Sequence, residues 1–347
     1  MLSFITWLLP TSYFLPGWLT LDINPLESLL QGLVGACGIS VLCSLLRVHL
    51  FLEERSEKNG EDTSTQKTFG HPIRTKPGLT GLLQFLFVTG ILCVVGSRVA
   101  SLVVLEFCLR AVSGLVTAGP ESGKFLQQLL VQSQFSLGCA LTCSLHFLHE
   151  GAAQRWLCLL LAAALSWFLA RQATNLLHHV IALYKLHSSQ GYCGICISLL
   201  TSGSSLLPML CRTIIITFSV AVLAAVSTIN QHFLSATEAL RFWTPLTICY
   251  TLLVVYMQEE QHRLPSSQAV LNAVVVRLGG LMVLMLTVGR WADVFHILIC
   301  FLGEASCLLP TKDLLDAASS QDEEDYTEYR RRERQQKPRA FKKEHQR

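Results

Sequence analysis

Glu106 and Arg110 stand four residues apart in a run that is otherwise apolar from Val94 to Ala118, and Arg98 precedes them by about two turns. Ionisable side chains at membrane depth are costly and turn toward protein or water rather than lipid, so they define where chemistry could occur. At 100° per residue, Arg98, Glu106, Arg110, Ser113 and Thr117 fall within a helical sector of about 120°. The Glu-before-Arg order at this spacing is the favourable one for an ion pair along a helix. A second group, Arg290, Asp293 and Glu304, lies within about 60° of one wheel position, with Cys300 beside it. Trp291 adjoins Arg290 and suits an interface, and Arg277 in the preceding apolar run is a possible partner for either group. Two readings follow. The charges line a polar pathway for an ion or small solute, or they are structural pairs that fix helix register. Buried pairs add little net stability, yet removing one partner costs about 3–5 kcal/mol.

Other motifs carry less. Cys193-Gly194-Ile195-Cys196 is a C-x-x-C without the second ligand pair of a zinc site or the βαβ setting of a redox motif. Gly119–Phe125 falls one position short of a phosphate-binding loop and has Phe125 where the magnesium-binding hydroxyl belongs. His146, His149, Glu150, His178, His179 and His187 show no H-E-x-x-H or equivalent spacing. No nucleophile–base pair recurs at helical spacing. The expectation is therefore no enzyme, no cofactor and no metal, and a net charge of +3 gives no case for nucleic acid.

The elements that must position these charges are membrane helices. The chain is 51% hydrophobic and only 15% charged, against about 25% charged in soluble domains; its mean hydropathy is +0.44. A bilayer core needs about 20 mostly apolar residues per helix. Candidate crossings are Leu26–Leu52, Leu79–Leu105, Leu129–His149, Trp156–Leu177, Tyr192–Leu210, Thr213–Ile229, Phe242–Met257, Val270–Val288 and Ala292–Leu309. This predicts an all-α, polytopic transmembrane bundle of about 7–9 spans. Tyr192–Leu210 is the weakest, since Thr201–Ser205 and Pro208 suggest a re-entrant or unwound segment. From Leu79 to Thr117 a single helix would run about 58 Å, nearly twice the hydrocarbon thickness, with no Pro or Gly-rich turn at Arg98. The expectation favoured here is a crossing that ends by Ser97 and continues as an amphipathic helix along the membrane face; the alternative embeds the charges.

Three regions follow: 1–25, an aromatic and Pro-bearing N-terminal segment; 26–310, the helical domain; and 311–347, a charged tail expected to be disordered. The polar loop 53–77 holds five Lys or Arg and the tail eight more from Arg330 to Lys343, so both read as cytoplasmic. Residues 1–25 contain no Lys or Arg and read as outside or lumenal, with neither a secretory signal nor a mitochondrial leader expected. Opposite sides demand an odd number of crossings. The thirteen cysteines lie mostly in apolar runs, where they act as small hydrophobes. Gly32, Ala36, Ser40 and Ser44 recur every four residues, a face on which another helix can approach closely. Val95-Gly96-Ser97-Arg98 and Val288-Gly289-Arg290 form one short internal similarity.

The strings Arg241–Gln261, Leu186–Cys196, Val95–Phe107 and Leu286–Trp291 resemble the transmembrane protein 82 family, and the likeness covers most of Leu26–Leu315. The resemblance implies a multi-pass membrane protein and carries no activity, ligand or residue role with it. The expected function is passage of a small solute or ion, with a non-catalytic membrane scaffold or accessory subunit as the alternative; the expected partner is the lipid bilayer, and the solute is not identified.

Overall fold

Apolar runs bounded by Gly, Pro or polar stretches form helices here because a helix closes its own backbone hydrogen bonds, as a bilayer requires. The computed structural model describes residues 25–60, 79–118, 123–152, 154–186, 194–231, 266–288 and 291–311, with isolated positions between 237 and 256 and at 314. Among the described residues there is no strand. The helices are α1 (Pro25–Gly60), α2 (Leu79–Val94), α3 (Gly96–Ala118), α4 (Gly123–Gln132), α5 (Gln134–Leu148), α6 (Arg155–Leu186), α7 (Gly194–Gln231), α8 (Ser266–Val288) and α9 (Trp291–Leu308), closed by one 3-10 turn, Leu309–Thr311. Five stretches are long and apolar enough to cross a membrane: Pro25–Glu53, Gly96–Val116, Arg155–Ala182, Leu206–Gln231 and Trp291–Thr311. Thr80–Val94, Gln134–Leu148 and Val270–Leu286 are shorter apolar helices. The expected N-terminal segment, most of the polar loop, most of Phe242–Met257, Arg290 and the charged tail lie outside the described residues. The first eight loop residues, Glu53–Gly60, continue α1.

Contacts between helices give each leg a direction. At the Pro25 end of the bundle, Glu27 on α1 pairs with Arg155 at the start of α6 at 3.1 Å. Gln231 at the end of α7 donates to Glu150 beyond α5 at 3.3 Å. At the other end, Arg47 on α1 reaches the Pro310 carbonyl after α9 at 3.5 Å. Gln84 near the start of α2 donates to the Ser306 carbonyl near the end of α9 at 2.7 Å. The chain therefore descends on α1, ascends on α2, descends on α3, ascends on α4–α5, descends on α6 and ascends on α7. It then ascends again on α8 and descends on α9. Of the isolated described positions between Gln231 and Ser266, Trp243 donates its indole N–H to Asn230 at 3.2 Å, and Leu253 lies against Gly280. Among the described residues the helices make eight legs, and Pro25 and Leu308 lie at opposite ends.

The legs differ in membership from the expected crossings. Leu79–Leu105 is two legs rather than one crossing: the helix breaks at Val95, and Gly96 has φ of +70°, a conformation that costs little only without a Cβ. α3 turns back into the bundle instead of running along the membrane face, so the embedded alternative is the one the structure adopts. Tyr192–Leu210 and Thr213–Ile229 form one helix with Pro208 inside it, so the segment near Gly203 is helical rather than unwound. A single proline removes one ladder hydrogen bond, and the rest of a long apolar helix continues past it. The α4–α5 junction is milder. Ser133 donates its backbone N–H to Leu129 at 2.9 Å and its hydroxyl to the Leu130 carbonyl at 2.7 Å, so the leg kinks without stopping.

α1 is the central contact surface, packing on α2, α5 and α6. A Cβ on Gly32 would lie 2.8 Å from the Thr89 carbonyl oxygen of α2, and one on Gly35 would lie 2.9 Å from the Gly138 carbonyl oxygen of α5. Backbone cannot swing aside as a long side chain can. Gly32→Val and Gly35→Val should each destabilise the bundle by about 1–3 kcal/mol through overpacking. Gly90→Ala, with open space around it, should be neutral or stabilising by up to about 1 kcal/mol. Thermal melting of the purified chain in one detergent distinguishes the two outcomes.

Candidate functional site: a buried charge clamp and a neighbouring cavity

Arg277 lies near the middle of α8, an otherwise apolar helix, and its side chain is fully enclosed. Its Nε is 3.1 Å from Glu106 Oε2 on α3, and its Nη2 is 2.7 Å from Glu304 Oε2 on α9. Glu106 Oε1 is 3.7 Å from Arg110 Nε on its own helix. Arg110 Nη1 donates to Gln132 Oε1 at the end of α4 at 2.5 Å, and its guanidinium lies 5.2 Å from the centre of the Phe107 ring. Two guanidiniums and two carboxylates thus sum to zero charge in the core. Four helices are tied through them. Glu106 and Glu304 are each 1% exposed, so every member depends on the others for what water would otherwise supply.

The sequence-predicted residues divide between this clamp and its surroundings. Glu106, Arg110 and Glu304 converge as one cluster, joining what the sequence presents as two separate groups. Arg98 and Asp293 pair with each other at 3.5 Å, near the start of α3 and of α9 and at the partly exposed margin of the bundle. Arg290 lies outside the described residues. Arg277, only a possible partner in the sequence, is the centre of the arrangement. Its depth was legible, since it stands seven residues from the start and eleven from the end of its apolar run Val270–Val288. Gln132 carried no comparable signal, because a polar amide near the start of a kinked helix looks like any other.

The histidines are absorbed into helix ends. His146 Nδ1 is 3.0 Å from Arg155 Nη2, within the Glu27–Arg155 contact region, and the His149 ring bonds the Leu145 carbonyl of its own turn at 2.9 Å. Gln127 on α4 donates to Glu53 on α1 at 2.8 Å, with His49 at 3.5 Å. Among the described residues no three His, Cys, Asp or Glu side chains are grouped to hold a metal. The side chains of the C-x-x-C lie outside the described residues.

A cavity of about 600 Å³ opens elsewhere, between α1, α2 and α6, and is closed below by the Cys307–Thr311 end of α9. None of the predicted charges lines it. Three of the four small residues on α1 do: Ala36, Ser40 and Ser44 form its floor, while Gly32 alone makes the close approach to α2. The stripe therefore does two jobs. It lets α1 and α2 touch at the Pro25 end and leaves a slot where they separate at the Arg47 end.

The two charge sets differ in what they can lose. Arg277→Leu leaves Glu304 without its cation and Glu106 with Arg110 alone, and should cost about 3–5 kcal/mol. Removing one charge of each sign, as Arg277→Leu with Glu304→Gln, leaves the Glu106–Arg110 pair in place and should recover most of that loss. Asp293→Asn, which removes one charge of a pair whose cation stays partly exposed, should cost less than Arg277→Leu. Chemical or thermal unfolding in detergent micelles reads all three.

No solved structure matches the chain. The sequence model of the family described as transmembrane protein 82 matches residues 26–329, nearly the whole helical domain and part of the tail. Those residues take in every helix described above and all members of the clamp, so the chain belongs to the transmembrane protein 82 family and is a multi-pass membrane protein.

Proposed function

We propose that this chain is a non-catalytic membrane scaffold or accessory subunit rather than a conduit for a solute. The observation that supports this reading is the closed charge balance of the clamp. Arg110, Glu106, Arg277 and Glu304 spend their charges on one another, whereas a polar pathway keeps charges facing water. None of them borders the cavity. A bundle locked in this way suits a protein whose work is to hold a shape in the bilayer. The absence of a nucleophile–base pair in the sequence supports a non-enzymatic role.

We infer the expected sidedness as well: N-terminus outside or lumenal, C-terminus cytoplasmic. The Arg47 end of the bundle is the end from which loop 53–77 and the tail depart, and these hold most of the Lys and Arg. Protease protection of terminal epitope tags in sealed membranes tests it.

Function is tested by reconstituting the full chain in sealed vesicles and following proton, sodium and potassium flux with entrapped dyes. Flux indistinguishable from protein-free vesicles is expected, both for the natural chain and for Glu106→Gln. A flux that the natural chain supports and folded Glu106→Gln lacks would overturn the scaffold reading in favour of passage through the charge cluster.

A further inference from the structure

The geometry points to a lateral binding slot for one anionic phospholipid, floored by α1 and walled by α2 and α6. Four observations converge on that ligand. The first is access. Leu82 on α2 and Trp167 on α6 line the slot and are also about half exposed, at 52% and 49%, on the face these helices turn to lipid. Phe85 and Trp167 meet edge to face across it, with ring centres 5.7 Å apart, so a flat aromatic pair rather than a helix contact separates the slot from the bilayer.

The second is charge. Arg47 and Arg171 line the slot, and no Asp or Glu does. This is the reverse of the clamp, where each cation meets a carboxylate. Guanidiniums offer paired N–H donors that match a phosphate group, and here they stand unmatched by any acid in the same wall. The third is an idle donor. Gln134 on α5 lines the slot at 2% exposure, and its amide nitrogen has no hydrogen-bond partner. A buried amide donor of that kind costs free energy unless something accepts from it.

The fourth is shape. From Arg47 to Ala36 the slot follows α1 for about 16 Å at 1.5 Å per residue, from the end of the bundle inward. Its polar groups include Arg47, Arg171 and His178, while Ile39, Phe85 and Val88 give it apolar walls. A soluble anion would meet the guanidiniums and leave those walls bare. A phospholipid satisfies both, placing its phosphate between the arginines and an acyl chain along Ala36 and Ser40. The volume of about 600 Å³ lies within the range of about 300–1,000 Å³ usual for small-molecule sites. The slot is independent of the scaffold reading, and a transporter or a scaffold could equally carry it.

Native mass spectrometry of the full chain in detergent, titrated with dioleoyl phosphatidic acid or dioleoyl phosphatidylcholine, tests the assignment. One phosphatidic acid adduct per chain is expected, held more tightly than phosphatidylcholine. Arg47→Gln and Arg171→Gln should each weaken phosphatidic acid by about fivefold and leave phosphatidylcholine unchanged. Arg171 is exposed, so its replacement does not threaten the fold. Ser40→Phe, which fills the floor and keeps both arginines, should abolish the phosphatidic acid adduct, with an unchanged melting temperature reporting an intact bundle. The assignment fails if the natural chain retains no phosphatidic acid, or if it holds the two lipids equally. It also fails if Arg171→Gln and Ser40→Phe bind phosphatidic acid as the natural chain does.

Discussion

A guanidinium enclosed at the centre of an apolar helix constrains this molecule more than any other single feature. Arg277 cannot be neutralised by deprotonation, because an arginine stays charged under all ordinary conditions. It must be matched by carboxylates, and among the described residues α3 supplies one through Glu106 and α9 another through Glu304. That requirement sets the depth and facing of both helices relative to α8. Glu106 then needs Arg110 as a second partner, and Arg110 needs Gln132, so the requirement reaches α4. Apolar packing around the cluster, including Phe107 against Phe218 at 4.7 Å, fills space but does not discriminate one register from the next. In lipid, where tails are as apolar as leucine, such polar matching is one of the few forces that can choose an arrangement.

The clamp works only because the chain turns back at Gly96. Had α2 continued straight into α3, Glu106 would have lain far from α8 and α9, and Arg277 would have had one carboxylate instead of two. The reversal and the clamp are thus one device: a backbone conformation open to glycine brings a carboxylate into the core, and the carboxylate holds the returning helix there. α8 and α9 make a second reversal at the same end, between Val288 and Trp291. The first of the two short similar strings sits at the Gly96 reversal, and Val288, which opens the second, ends α8. Arg98 and Asp293, from the first turns that follow, meet beside them.

α1 shows how one pattern supports two opposite outcomes. Small residues at four-residue spacing allow close approach, and at Gly32 they do so, as Gly35 outside the stripe also does, bringing backbone oxygens of α2 and α5 to within about 3 Å of where a Cβ would be. Farther along the same helix, Ala36, Ser40 and Ser44 line the cavity. There the absence of side-chain bulk becomes room. Whether a small residue closes a gap or opens one is decided by the neighbour, which diverges from α1 toward the Arg47 end.

Much was legible in the residues themselves. Hydropathy and helical spacing determined an all-α membrane bundle, because backbone desolvation and the length of a helix admit little else. Glu106, Arg110 and Glu304 announced themselves as costly groups in apolar runs. Three matters were settled only by the tertiary structure. Hydropathy is a sum over a window, and Val94 and Val95 are as apolar as a straight helix would need, so the reversal at Gly96 left no trace in it. Pro208 and the Gly/Ser run before it look like a break, yet they lie within a continuous helix, because one missing hydrogen bond does not stop a helix of that length. The joining of two charge groups through Arg277 needed three helices from distant parts of the chain side by side. Charge tells that a partner is required; only packing says which one.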